Sequence, residues 1–189
     1  MTEIDTDRLL LRNWREEDRA LFHEINADEE VMTFFPFRRS RAESDPVMDL
    51  LRDEIAHNGF GFAAIEVKAS RQCAGFAGIR RTQLEPHFPD GSVEIGWRLA
   101  RCHWGKGYAS EAAQAWLRYG FEKLKLPEIV SFAVHDNHRS TAVMERIGML
   151  RDPSRDFDHP GVPDSHPHLR RHVVYTLDDA RWRAATRNA

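Results

Sequence analysis

The stretch Val93-Glu94-Ile95-Gly96-Trp97-Arg98-Leu99, continued by Ala100 to His103 and by Trp104-Gly105-Lys106-Gly107-Tyr108-Ala109-Ser110-Glu111, decides how this chain is read. Alternation in the strand Ser92 to Leu99 sets Glu94 on the opposite face from Val93 and Ile95. Beyond it, Ala109, Ala112, Ala113, Trp116, Leu117 and Phe121 share one face of a helix expected from about Tyr108 to Lys123. A strand that feeds a glycine turn opening directly into a helix aims several backbone N–H groups outward at the positive end of the helix dipole, which suits phosphate oxygens. Gly105 and Gly107 allow a ligand close to the backbone and Lys106 adds a charge, although a tight turn alone would also account for the glycines. The two common nucleotide loops are excluded. A P-loop needs four residues between its glycines and a Lys-Ser/Thr pair, and the Rossmann fingerprint needs a third glycine.

Upstream, Leu9 to Arg12 reads as a first strand and Arg15 to Asn26 as a helix, with Ala20, Leu21 and Ile25 apolar in a charged background. Phe34-Phe35-Pro36-Phe37 is a greasy loop broken by its proline. Ser40 and Glu43 have capping-box spacing, which predicts a helix from Arg41 to His57 with Pro46 in its first turns. Phe60 to Val67 and Cys73 to Arg80 make an antiparallel hairpin. Downstream, a strand runs from Ile129 to His135, and a short helix from about Ser140 to Ile147 ends at Gly148. The four-proline stretch Asp152 to His168 is a loop, His172 to Leu177 is the last strand, and Asp178 caps a terminal helix. Without repeat or linker, residues 1–189 form one domain, an α+β sandwich with a mainly antiparallel sheet.

Composition narrows the function. The 189 residues are 41% hydrophobic and 30% charged with a net charge of -3, so no bulk positive field exists to gather nucleic acid or anionic lipid. An anion must be held by a local device. Cys73 and Cys102 are too few for a disulfide framework, and no apolar leader or stretch of roughly 18 apolar residues is present. A cytoplasmic protein without membrane attachment is expected. His159, His166, His168 and His172 lie in or beside the proline-rich loop, but their spacings match no compact zinc site and no metal is expected.

These residues resemble the GNAT superfamily of acyl-CoA-dependent N-acyltransferases, and within it the RimJ/RimL branch of ribosomal-protein N-terminal acetyltransferases. The family signature of Gln or Arg, two residues, Gly, one residue, then Gly or Ala aligns on Trp104-Gly105-Lys106-Gly107-Tyr108-Ala109, with Trp104 departing from its first position. A second segment matches Asn137, Ser140, Glu145, Gly148 and Met149, and the opening Thr6 to Arg12 with Trp14 is similar to the start of that branch. The resemblance implies a GNAT-like fold: a mixed, mostly antiparallel sheet of about seven strands, helices on both faces, and a splayed strand pair holding acyl-CoA. The strands of that pair would be Ser92 to Leu99 and Ile129 to His135.

By resemblance, the backbone of Trp97, Arg98 and Leu99 pairs with the pantetheine arm of acetyl-CoA. The pyrophosphate sits on the amides of Gly105, Lys106, Gly107, Tyr108 and Ala109, Asn137 hydrogen-bonds the pantetheine, Ser140 lies close to the sulfur, and Met144 packs alongside or is simply core. The acceptor is an amine, with a peptide N-terminus favoured over lysine because its intrinsic pKa is near 8 rather than roughly 10.4. Glu94 is the candidate base, with His135 as an alternative relay. The family often has a tyrosine as general acid where this chain has Met144; Ser140 is the candidate to supply that proton instead, with a water, Tyr108 or Tyr175 as alternatives. The Phe34 to Phe37 and Asp152 to His168 loops would wall an acceptor site. A small-molecule acetyltransferase for polyamines or antibiotics, and a non-catalytic acyl-CoA sensor, are the other readings, and a homodimer is left open.

Overall fold

A computed structural model of the chain describes residues 3–187. It divides into two compact units, one made of the chain up to Arg80 with Gly96–Trp116, the other of Arg81–Ile95 with the chain from Leu117 onward.

In the first unit, β1 (Ile4–Asp5), β2 (Leu9–Arg12), β3 (Phe62–Val67) and β4 (Gln72–Arg81) lie side by side in that order, all antiparallel, with Leu11 opposite Ile65 and Ala64 opposite Phe76. Two helices, α1 (Arg19–Ala27) and α2 (Arg41–Asn58), contribute Phe22, Ile25, Met48 and Ile55 to the core, which also buries Leu9, Leu11 and Ile65. Trp14 meets the Phe22 ring edge-on at 4.9 Å and donates its indole N–H to the Phe62 carbonyl at 2.8 Å. The capping box of α2 forms as its spacing predicts: the Glu43 carboxylate accepts the Ser40 N–H and hydroxyl, both at 2.8 Å. The helix expected from Arg15 instead begins as a 3-10 turn, Glu16–Asp18. Asp18 is the reason, because its carboxylate takes the Arg15 N–H at 2.8 Å and the buried Arg12 guanidinium at 2.7 and 2.9 Å. Arg12 also donates to Glu66 at 2.6 Å, so this buried charge is fully compensated.

The second unit begins β5 (Val93–Leu99), whose last four residues belong to the first unit. β5 pairs in parallel with β6 (Glu128–Val134) at one register position, Glu94 opposite Val130. β6 runs antiparallel to β9 (Arg171–Asp178), and β9 also carries β7 (Leu150–Arg151) and β8 (Phe157–Asp158). Phe88, Val130, Phe157 and Val174 form the core here, with Leu84 and Phe132 against it. The helix α3 (Tyr108–Arg118) does not continue to Lys123 as expected but widens into a π-helical turn, Tyr119–Lys123. The Leu124 N–H reaches back to Tyr119 at 3.1 Å, and Phe121 stacks on Trp182 at 5.6 Å. Two further helices are α4 (His138–Arg146) and α5 (Asp179–Arg187).

Every pairing quoted is antiparallel except β5 with β6, which gives the mixed α+β architecture expected. The described residues hold nine strands rather than about seven. Beyond the six strands read from the residues themselves stand β1, β7 and β8, each two residues long and below the length at which alternation is recognisable. The Asp152 to His168 segment is irregular apart from β8 and the 3-10 turns Pro153–Arg155 and Pro167–Leu169. Among the described residues no helix is long and apolar enough to cross a membrane.

Candidate functional site

The glycine loop lies in the first unit, between the 3-10 turn Arg101–His103 and α3. Gly105 and Gly107 both adopt the left-handed backbone, at φ +73° and +79°, which side-chain-bearing residues rarely take. A Cβ on Gly105 would meet nothing within 4 Å, so the loop is open on that side. The first return bond of α3 runs from the Glu111 N–H to the Gly107 carbonyl at 3.1 Å, so the N–H groups of Gly107, Tyr108 and Ala109 have no intrahelical acceptor. Such donors at the start of an eleven-residue helix suit a pyrophosphate.

The outside of the loop is strapped down by residues the motif does not reveal. Arg8 donates to the Lys106 carbonyl at 2.9 Å and to Glu111 at 2.6 Å, and its guanidinium lies over the Tyr108 ring at 5.0 Å. Glu111 also accepts the Thr6 hydroxyl at 2.6 Å and the Arg8 N–H at 2.9 Å. Burial pushes the Glu111 carboxyl up, but these bonds from Thr6 and Arg8 outweigh it and hold the group below the usual carboxylate range. Trp104 donates its indole N–H to the Leu99 carbonyl at 2.8 Å, bracing the turn where the family carries Gln or Arg. His103 is pushed down by burial and then by Lys106, so it stays neutral near pH 7.

Leu99 is buried, whereas Trp97 and Arg98 are half-buried, and the Arg98 side chain reaches α1 through Asn26, 72 residues away. In the second unit, Glu94 is half-buried between the buried Val93 and Ile95, as alternation predicts. Ser131, next to its register partner, donates its hydroxyl to the Ile95 carbonyl at 2.9 Å. Asn137 is the N-cap of α4, its Oδ1 accepting the Ser140 N–H at 3.2 Å. That bond uses the amide oxygen and leaves the NH2 group to donate elsewhere. Ser140 is half-buried, and Met144 is buried at 1% exposure. The Tyr175 hydroxyl donates to Glu145 at 2.9 Å, and burial followed by that bond pushes its pKa up. Its proton is therefore tied to a neighbouring carboxylate. Among the described residues no three His, Cys, Asp or Glu side chains gather as metal ligands.

Residues 8–150 match the acetyltransferase (GNAT) domain. The chain belongs to the GNAT family of acetyltransferases. GNAT relatives include YkkB, an uncharacterised protein of Bacillus subtilis, 32% identical over 78% of this chain and 85% of its own length. The FsC-acetyl coenzyme A-N(2)-transacetylase of Aspergillus fumigatus is 28% identical over 95% of this chain and 77% of its own length. Among solved structures, a GNAT-family acetyltransferase from Bacillus anthracis superposes with a TM-score of 0.78 at 26% identity, covering 95% of this chain and 99% of the other. As a GNAT acetyltransferase the chain uses acetyl-CoA, and the helix-start amides with the two left-handed glycines fit its pyrophosphate.

Proposed function

We propose that the chain acetylates the α-amine of a peptide or protein N-terminus, in the manner of the RimJ/RimL branch, with residues 1–189 acting as one catalytic domain in the cytoplasm. The observation that carries the reading is the glycine turn, left-handed at Gly105 and Gly107, that opens into α3 with the N–H groups of Gly107, Tyr108 and Ala109 ahead of its first return bond. Acetyl-CoA supplies the thioester, an acyl group activated for direct attack by an amine. In this reading the main chain of Trp97, Arg98 and Leu99 extends the pantetheine as an added strand, while the Asn137 amide NH2 and Met144 hold it from α4.

An amine attacks only when neutral. A terminal α-amine, with a pKa near 8, surrenders its proton to a carboxylate far more readily than lysine near 10.4. Glu94 is assigned as the base, taking that proton directly or through a water, and Ser140 returns one to the departing thiolate. The Phe34 to Phe37 loop walls the acceptor.

The test is thiol release from acetyl-CoA across N-terminal peptides, polyamines and aminoglycosides. Turnover with peptides is expected, and Glu94→Gln is expected to lower kcat by about 100-fold, the lower range for general-base catalysis. Acetyl-CoA affinity should stay near wild type. Equal turnover in the variant removes Glu94 from the reaction, and acetyl-CoA binding without turnover on any acceptor turns the reading to a sensor.

A further inference from the structure

Arg98 carries a positive charge that the described residues leave uncompensated. Its guanidinium lies 4.2 Å from the Phe35 ring centroid and 5.3 Å from that of Phe76, and its one hydrogen bond runs from Nη1 to the Asn26 amide oxygen at 2.7 Å. Asn26 is buried, and its own NH2 donates to the Phe22 carbonyl at 2.6 Å, which turns the amide oxygen toward Arg98. The Asn26 main-chain carbonyl accepts the Arg39 N–H at 2.9 Å, so the same residue ties down a second cation. Arg39 lies over the Phe37 ring at 4.4 Å.

Neither guanidinium is paired with a carboxylate among the described residues. The contrast within this unit is sharp: Arg12 holds Asp18 and Glu66, and Arg8 holds Glu111. Glu43, whose carboxyl is lowered mainly by hydrogen bonds from Ser40 and least by Arg39, is already occupied in capping α2. Burial, and after it the neighbouring Arg39, pushes Arg98 down to about 10. Two like charges, one held half-buried on ring faces and a neutral amide, are stabilised when an anion joins them. Arg98 lies on Phe35, a ring of the loop that walls the acceptor in the reading above.

We propose that Arg98, assisted by Arg39, is an anion subsite that selects amine acceptors bearing a carboxylate. This rests on the acetyltransferase reading above. Its Nε, Nη2 and second Nη1 hydrogens are left to receive the anion, and Asn26 is a positioning residue. The carboxylate comes either from an acidic side chain beside the reacting N-terminus or from the acceptor's own α-carboxyl group. A polyamine, which carries only positive charge, is disfavoured.

The experiment compares kcat/KM for C-terminally amidated peptides that differ only in Asp or Lys after the reacting residue, together with free amino acids and their amides. The Asp peptide is expected to be preferred about tenfold, the worth of one charge-assisted hydrogen bond. Arg98→Met, which keeps the packing on both rings, should bring that ratio near one, Arg98→Lys should restore part of it, and Arg39→Gln should reduce it a few-fold. A preference confined to free amino acids over their amides assigns the α-carboxyl source. An unchanged ratio in Arg98→Met, or a rise confined to the KM of acetyl-CoA, overturns the subsite. Calorimetry with an N-acetylated Asp peptide separates the two readings. Arg98-dependent binding without turnover supports the subsite and defeats the transferase assignment, whereas turnover indifferent to acceptor charge defeats the subsite alone.

Discussion

Gly107 takes a conformation at φ +79° that costs an ordinary residue about 1–2 kcal/mol, and a Cβ there would come within 3.3 Å of the Arg8 guanidinium. Gly107→Val therefore both strains the loop and pushes on the Arg8 strap that holds it, and titration calorimetry should show acetyl-CoA affinity reduced about tenfold or more. Normal affinity in that variant would defeat the phosphate assignment. This residue was legible in the chain because glycine spacing next to a helix start is local information. Arg98 was legible only as a strand residue lending its main chain, because Asn26 and Phe35 reach its side chain across more than sixty residues. The one hint available was local: Phe34 to Arg39 is aromatic and basic with no acidic residue in it. Arg8 and Glu111 escaped for the same reason, being partners across 103 residues.

Elements whose start is written in a few adjacent residues were the readable ones. The α2 cap followed from Ser40 and Glu43, whereas α4 begins at His138, two residues before the Ser140 read for it, and is capped by Asn137, whose second role makes a separable prediction. Asn137→Ala removes the cap and should destabilise the protein by about 1 kcal/mol, read as a lower denaturant midpoint. Asn137→Asp keeps an accepting oxygen but loses the NH2 donor, so it should recover the stability and still bind acetyl-CoA weakly. Recovery of both properties in the aspartate variant would show that Asn137 serves only α4. The π-helical turn after α3 had no such local mark. Its wider turn accompanies the stacking of Phe121 on Trp182, a contact made 61 residues apart in the chain.

At the scale of the whole molecule, stability should follow pH through His172, buried beside Phe157 and His159. Burial is the main reason its pKa falls from 6.5 to about 4, with His159 and His135 lowering it further while the Arg170 carbonyl and Asp158 oppose them. A histidine kept neutral in the native state contributes stability that is complete above pH 6.5. That stability is lost as pH falls toward 4, because the unfolded chain takes up the proton first. The amount is about 3 kcal/mol over that window. Thermal melting of His172→Phe between pH 7 and 5 should fall less steeply than wild type, and parallel curves would show that His172 is not the group responsible.

The amides at the start of α3 also bear on how long the folded protein persists. A ligand that docks on a helix start favours the native state over the unfolded chain, by about 2.7 kcal/mol when it is present at a hundred times its dissociation constant. Free coenzyme A carries the same pyrophosphate, so on this reading the total coenzyme, acetylated or not, would shield the chain from proteases that attack its open form.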